Sequence, residues 1–320
     1  VVSSLEELRD RWTVAADQLE SGAEVRIPGV WTGEGPPGPV AALFPGQGSQ
    51  RVGLGGPLAR FSPDALAVWD DVARSGDSVH RSVFPGFGDA EAQEARLRAT
   101  ERAQPAITTA SLAAWAALRA LGLEVQAVAG PSLGELGAVA AAGIWDPATA
   151  VRLARARGNA MAEASANTPG AMLAVRATVA DVEARLANEP DLGVANHNAP
   201  EQVVVSGPVE RVDAFAKTCA TAGLHAERLP VSTAFHSPLV ADAADRFLEA
   251  LGENALGEPH LELWSNAGDP FPTDPDAFRA RLAEQIAGPV RFVDQIEAMW
   301  DAGIRVFVEV GPGAVLSRLV

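Results

Sequence analysis

Only one cysteine, Cys219, occurs in the 320 residues. A single thiol excludes an internal disulfide framework and a cysteine-based zinc cluster, and fits a chain kept in a reducing, cytoplasmic compartment. Set in the helical pattern of 209–223, Cys219 reads as a small buried hydrophobe. Cations are scarce as well: 25 Lys and Arg stand against 41 Asp and Glu, for a net charge of -16 and a pI near 4.7. Nucleic acid and anionic membrane surfaces attract basic patches, so neither is expected as a partner. A partner should be small, or should meet a local basic spot. Long apolar runs are also missing. None approaches the roughly 18 residues that cross a bilayer, and the opening VVSSLEELRDRW is charged and amphipathic rather than leader-like. Opening without methionine and stopping at VLSRLV, the chain is expected to be a segment of a longer polypeptide.

What is present is ordinary globular composition, 48% hydrophobic and 21% charged, enough to bury an active site. Residues 3–20 carry apolar positions at helical spacing behind a serine cap, and GEGPPGPV at 33–40 breaks all regularity, so 1–39 is expected to be a linker region. The strand VAALF (40–44) then runs into the glycine-rich turn PGQGSQ, which places backbone N–H groups at the carboxyl edge of a sheet. A buried Ala/Leu helix is expected over 105–121, a strand over 125–130, a small-residue helix ending at Gly143, and another helix over 147–163 from Pro147. From 171 to 229 the order is β-α-β-β-α-β, the ferredoxin-like pattern. The α/β alternation then returns and ends on VFVEV (306–310), a strand that reads as buried. The expected fold is α/β: an α/β-hydrolase-like large subdomain of 40–168 and 230–320, with a ferredoxin-like small subdomain inserted at 169–229.

The stretch AGPSLGE (129–135) has the Gly-x-Ser-x-Gly spacing of a nucleophile elbow, with a strand before it and a helix after it. Ser132 is the candidate nucleophile, Gly130 and Gly134 letting the backbone turn tightly. Five histidines could serve as its base. His80 and His260 fall in loop-like polar stretches, His197 and His225 in the inserted subdomain. His236, in STAFHSP before Pro238, lies where the chain returns to the main domain, and is favoured. Between Ser132 and His236 the aspartates Asp146, Asp181, Asp191 and Asp213 each have a plainer role near a helix start or in a turn. The absence of an obvious acid argues against an ordinary hydrolase triad.

Taken together, FPGQGSQ, QPA (104–106), GPSLGE, RARGNAM (155–161), NHNAPEQVVVSG, AFHSP, QIAGPVRF and VEVGPG resemble the successive motifs of malonyl-CoA:acyl-carrier-protein transacylases and of polyketide synthase acyltransferase domains from about residue 40 to 318, and EAQEARLRATERAQPA and STAFHSPLVADAADRF resemble those of iterative, enediyne-type synthases. The resemblance implies acyl transfer from coenzyme A to Ser132, with His236 as base and then acid. It implies that a backbone carbonyl near Gln285 or Gly288 orients the imidazole, in place of an aspartate. Gln47 and Leu133 would give oxyanion N–H groups. Arg157 would pair with the free carboxylate of a malonyl group through two parallel hydrogen bonds, while Arg152 and Arg155 are expected to face solvent. Phe235 and Leu133 stand where malonyl-selective members carry bulky residues. Met161 is expected to line the pocket or pack, and Asn198 is either near the site or a turn former. The resemblance implies no metal and no permanently bound cofactor. Malonyl-CoA would be the substrate and the phosphopantetheinyl group of an acyl carrier protein the acceptor, with flanking synthase domains such as a ketosynthase as neighbours.

Two other readings share these residues: an acyl hydrolase of the same fold that clears wrongly loaded carriers, and a non-catalytic docking domain. Arg157 argues against the first, and the survival of both Ser132 and His236 against the second. The residue before the nucleophile is usually histidine in the family and is Pro131 here. Proline removes the N–H at 131 but not the one at 133, and it biases Gly130 toward the extended geometry of a strand end, so a competent nucleophile is expected.

Overall fold

A serine cap opens the first helix: Ser4 Oγ accepts the Glu7 N–H at 3.1 Å, and α1 runs Leu5–Glu20. The computed structural model describes residues 4–33, 35, 38–231, 233–252 and 254–320. Ser3 of the expected first helix, residues 34, 36 and 37 of the expected break, and Ser232 of the histidine turn lie outside them. The chain up to Gly38 forms one compact unit and Pro39–Val320 another.

The second unit begins with β1 (Val40–Leu43), followed by α2 (Gly56–Phe61), α3 (Pro63–Arg74), α4 (Val79–Val83), α5 (Ala90–Arg98) and α6 (Thr100–Ala120). Next come β2 (Ala127–Ala129), α7 (Gly134–Ala141) and α8 (Pro147–Asn167). The last turn of α8 passes into β3 (Gly170–Val175), α9 (Val179–Leu186), β4 (Gly193–Ala199), β5 (Gln202–Pro208), α10 (Val209–Thr221) and β6 (Ala226–Arg228). The remaining elements are α11 (Ala241–Gly252), β7 (Glu262–Leu263), α12 (Pro275–Glu284), β8 (Val290–Arg291), α13 (Phe292–Asp301) and β9 (Val306–Glu309).

Four strands form a parallel sheet in the order β7-β2-β1-β9. Alternation along β1 and β2 sends Val40, Ala42 and Val128 into a core shared with α3, α6, α7 and α8, and Ala41, Leu43, Ala127 and Ala129 into a second core against Phe292 and Met299 of α13. Both faces are thus covered, the usual state of a parallel sheet and the reason these strands lack polar residues. β9 departs from the sequence reading. It is half-buried throughout, because it lies at the sheet edge with one side unpaired.

The 170–228 segment has the expected β-α-β-β-α-β order, and β6, β3, β5 and β4 pair antiparallel. One face of that sheet packs on α9 and α10 through Leu173, Val203, Val205, Val182, Phe215 and the buried Cys219. The other face carries Met172, Ala195 and Val204, with Phe235 against them. A fifth strand, β8, joins parallel to β4 from Val290, 62 residues past Arg228 and outside the boundaries drawn from sequence. Short strands of two residues carry too little pattern to be read in advance.

Helix α6 begins at Thr100, five residues before the expected start, and keeps Pro105 inside it. Proline removes the N–H that would bond the Glu101 carbonyl. That carbonyl instead accepts from Arg155 at 3.3 Å. Arg155 also grips both carboxylate oxygens of Asp77, each at 2.6 Å, and is half-buried, so it is not the solvent-facing residue expected from sequence, whereas Arg152 is exposed as expected and bonds the side chain of Asn254. His80 likewise sits on α4, not in a loop.

Candidate active site

The turn after β2 is shaped by what cannot fit there. A methyl group on Gly134 would lie 2.0 Å from the Phe44 carbonyl oxygen, and one on Gly130 would lie 2.5 Å from the same atom. Only glycine lets the nucleophile turn approach the end of β1 this closely. Between them Ser132 takes φ 52°, and His236 takes φ 58°. They are the two non-glycine residues with positive φ among the described residues. Such conformations cost of order 1–3 kcal/mol each and persist where surrounding contacts over-determine them.

Those contacts bring the two side chains together. His236 Nε2 lies 2.9 Å from Ser132 Oγ. Its Nδ1 faces the backbone oxygens of Gln285 at 2.9 Å and Gly288 at 3.0 Å. Carbonyl oxygens only accept, so Nδ1 carries the hydrogen and Nε2 presents its lone pair to the serine hydroxyl. No carboxylate is needed to fix that tautomer. His236 N–H also donates to the Ile286 oxygen at 3.2 Å, which explains how its strained turn is held. Burial, with the Arg157 charge beside it, pushes the imidazole down to about 4, while the two carbonyl oxygens oppose the shift. The ring is therefore neutral at physiological pH and able to take a proton.

Arg157 is 1% exposed on α8. Its Nη2 donates to Ser132 Oγ at 3.0 Å and to the Gln285 side-chain oxygen at 3.1 Å, and Nη1 donates to Gln104 Oε1 at 2.9 Å. Burial lowers its pKa to about 10, with the Glu135 charge working in the other direction, so it stays a cation. Gln285 thus acts twice, through its backbone oxygen on His236 and its side chain on Arg157. A buried guanidinium held by neutral oxygens at the serine hydroxyl is ready for an anion.

The other expected residues fall around this centre in different ways. Gln47 is exposed on the glycine-rich loop after β1, and its side-chain oxygen accepts from Thr100 at 2.9 Å. Leu133 is buried at the start of α7. Phe235, half-buried beside His236, packs against both the main core and the open face of the small sheet. Met161 is buried, its sulfur 3.2 Å from the Gln104 amide, so it packs under Arg157's partners. Asn198 lies on β4 at a register shift opposite β5, a bulge residue and not the turn its type suggests.

Three residues were not assigned from sequence. Gln104, in the buried part of α6, orients Arg157. Glu135 is 1% exposed in the first turn of α7 and pushed up to about 8, chiefly by burial. Asn266 places its side-chain oxygen 3.1 Å from the Ser132 N–H. A signal for Glu135 existed, a lone charge within the apolar run LGELGAVAAAG. For Asn266 there was none. Among the described residues no three His, Cys, Asp or Glu are grouped to hold a metal ion, and no helix is long and apolar enough to cross a membrane.

Comparison with known proteins gives this geometry a family. The sequence profile described as the acyl transferase domain matches residues 42–320. Malonyl CoA-acyl carrier protein transacylase of Bacillus subtilis is 35% identical over 287 residues, covering 88% of this chain and 89% of that protein. The phenolphthiocerol synthesis polyketide synthase Pks15/1 of Mycobacterium marinum is 37% identical over 90% of this chain, which spans 14% of that much longer protein. Among solved structures, the acyltransferase domain from the second module of the salinomycin polyketide synthase superposes with a TM-score of 0.83 at 33% identity, covering 100% of this chain and 73% of that one. A malonyl-transacylase solved in complex with its type II polyketide acyl-carrier protein gives 0.81 at 31% identity, covering 88% and 91%. The chain belongs to the acyl transferase domain family and is an acyltransferase.

Proposed function

We propose that the protein moves a malonyl group from malonyl-CoA to the phosphopantetheinyl thiol of an acyl carrier protein, through an ester on Ser132. The observation that carries this reading is the buried Arg157 guanidinium 3.0 Å from Ser132 Oγ. It is a fixed cation where the acyl group must lie, and the free carboxylate of a malonyl group would take it in two parallel hydrogen bonds.

In the first half-reaction Ser132 Oγ attacks the thioester carbonyl and its proton passes to His236 Nε2. The oxyanion that forms is met by the backbone N–H groups of Gln47 and Leu133, neither of which bonds another described residue. Collapse breaks the C–S bond, and His236 returns the proton to the departing coenzyme A sulfur. The carrier's thiol then attacks the ester, giving its proton to the same nitrogen, and the C–O bond breaks as Ser132 Oγ regains a proton. Phe235 and Leu133 would restrict the space beside the α-carbon, where a single methyl is worth about 1–3 kcal/mol of discrimination.

A polyketide synthase setting, with a ketosynthase among the neighbouring domains, is supported by the breadth of the structural match. The salinomycin domain covers the whole chain, the single-domain transacylases 88% of it. Residues 1–39 would then be the linker ahead of the domain. Intact mass after incubation with malonyl-, methylmalonyl- or acetyl-CoA tests the reading: a malonyl adduct is expected on the native protein and none on Ser132→Ala. An adduct that survives in Ser132→Ala would sink it.

A further inference from the structure

Beneath Ser132 lies a buried polar pair that the acyl-transfer roles above leave unused. One carboxyl oxygen of Glu135 accepts the Asn266 N–H at 2.6 Å, and Asn266, 3% exposed, turns its own side-chain oxygen to the Ser132 N–H at 3.1 Å. The loop that carries Asn266 is fastened from its far side too. Its carbonyl accepts the Arg291 N–H at 3.1 Å, and the buried Gln295 amide donates to the Ser265 oxygen at 2.7 Å. Second polar atoms of the pair, Glu135 Oε2 and Asn266 Nδ2, are buried with no hydrogen-bond partner.

A carboxyl group taken out of water is costly, and leaving half of it unpaired costs more. Apolar residues would fill the space at lower cost if packing were the sole requirement. The need lies at Ser132. With φ at 52° its N–H stands ahead of the α7 ladder, whose first bonds run from the Gly134 N–H to the Pro131 oxygen and from the Glu135 N–H to the Ser132 oxygen, so it requires an acceptor from elsewhere. Asn266 comes from the strand end beside it, since β7 pairs with β2 and both loops leave the same edge of the sheet.

We propose that Glu135 and Asn266 act together as a positioning device for Ser132: the carboxyl group fixes the Asn266 backbone, and the Asn266 side chain holds the strained Ser132 N–H so that the hydroxyl stays on line with His236. The inference rests on Ser132 being the acylated residue. Misplacement of a reacting group by about 1 Å can cost about a hundredfold in rate. In Asn266→Ala, turnover is expected to fall about 10- to 100-fold with KM for malonyl-CoA within about threefold, the mark of a lost transition-state alignment. Glu135→Ala should fall as far, Glu135→Gln, which keeps an oxygen toward Asn266, should stay within about fivefold, and the double alanine variant should be no worse than either single one.

Hydrogen exchange reads the device without activity. In the unsubstituted protein the Ser132 amide is expected to exchange slowly, and about tenfold faster in Asn266→Ala at unchanged far-UV circular dichroism. Unchanged turnover in Asn266→Ala, or additive losses in the double variant, would overturn the proposal. So would a fast-exchanging Ser132 amide in the unsubstituted chain, a result available even if every variant misfolds. Acylation persisting in Ser132→Ala would instead remove the functional reading beneath it.

Discussion

His236 and Arg157 form a linked pair of residues at the centre of the site. Both donate or accept at the same serine hydroxyl, and the guanidinium charge is one of the causes that hold the imidazole down at about 4. With His236 as the base, acylation is expected to hold steady from neutral pH down toward that value, losing rate only as Nε2 gains a proton. Arg157→Ala removes a repelling charge, so the acid limb should move up toward the usual histidine range. The measurement is acetyl-CoA acylation against pH, since acetyl has no carboxylate to lose. A limb that stays put would show that burial alone sets the imidazole. Pro131 belongs to the same scale. Its carbonyl accepts the Gly134 N–H at 2.9 Å, a turn contact that any residue type can make. Pro131→His should therefore leave the preferred acyl group unchanged.

At the scale of elements, the feature that shapes the site is the join between α6 and α8. Pro105 frees the Glu101 carbonyl, Arg155 takes it, and Asp77 takes Arg155. The close fit leaves no room on α8 beside it: a methyl on Gly158 would lie 2.8 Å from the Thr100 oxygen. This join sets the height of Gln104 on one helix against Arg157 on the other. Arg155→Ala is expected to cost about 1–3 kcal/mol in denaturant unfolding, in line with charged hydrogen bonds, and, if Arg157 is the proposed carboxylate clamp, to raise KM for malonyl-CoA more than for acetyl-CoA as Arg157 loses its register. Equal effects on the two substrates would separate the join from the clamp.

For the whole molecule, two buried groups pull stability in opposite directions with pH. Glu135 binds its proton up to about 8 in the fold against an ordinary 4.5, so its contribution is full below 4.5 and is lost as pH rises through about 8. His236 stays neutral down to about 4 against an ordinary 6.5, so its contribution is present above 6.5 and is lost as pH falls toward 4. Thermal midpoints are expected to decline on both sides, and Glu135→Gln should flatten the decline between about pH 6 and 9. An equally steep alkaline slope in the variant would assign the loss to other groups.

The sequence by itself determined much of this protein. Strand, glycine turn and helix placed Ser132, because close approach to Phe44 tolerates only glycine at 130 and 134. Short apolar runs such as AMLAV and QVVVSG, set between helical stretches, gave the β-α-β-β-α-β order, because the central strands of that sheet carry buried residues on both faces. The lack of an acid partner for His236 was legible too, and two backbone oxygens account for it. Tertiary structure alone decided the rest. Asn266 stands 134 residues from Ser132 and meets it only because β7 lies next to β2. β8 is two residues long, and its place beside β4 depends on where the chain returns after the histidine turn. Arg155 looked like a surface cation until the Glu101 carbonyl, freed by Pro105, and Asp77 came within reach of it. Local pattern reports which face of an element is apolar. Which distant polar groups then meet in the interior depends on how strands are ordered, and no window of sequence contains that.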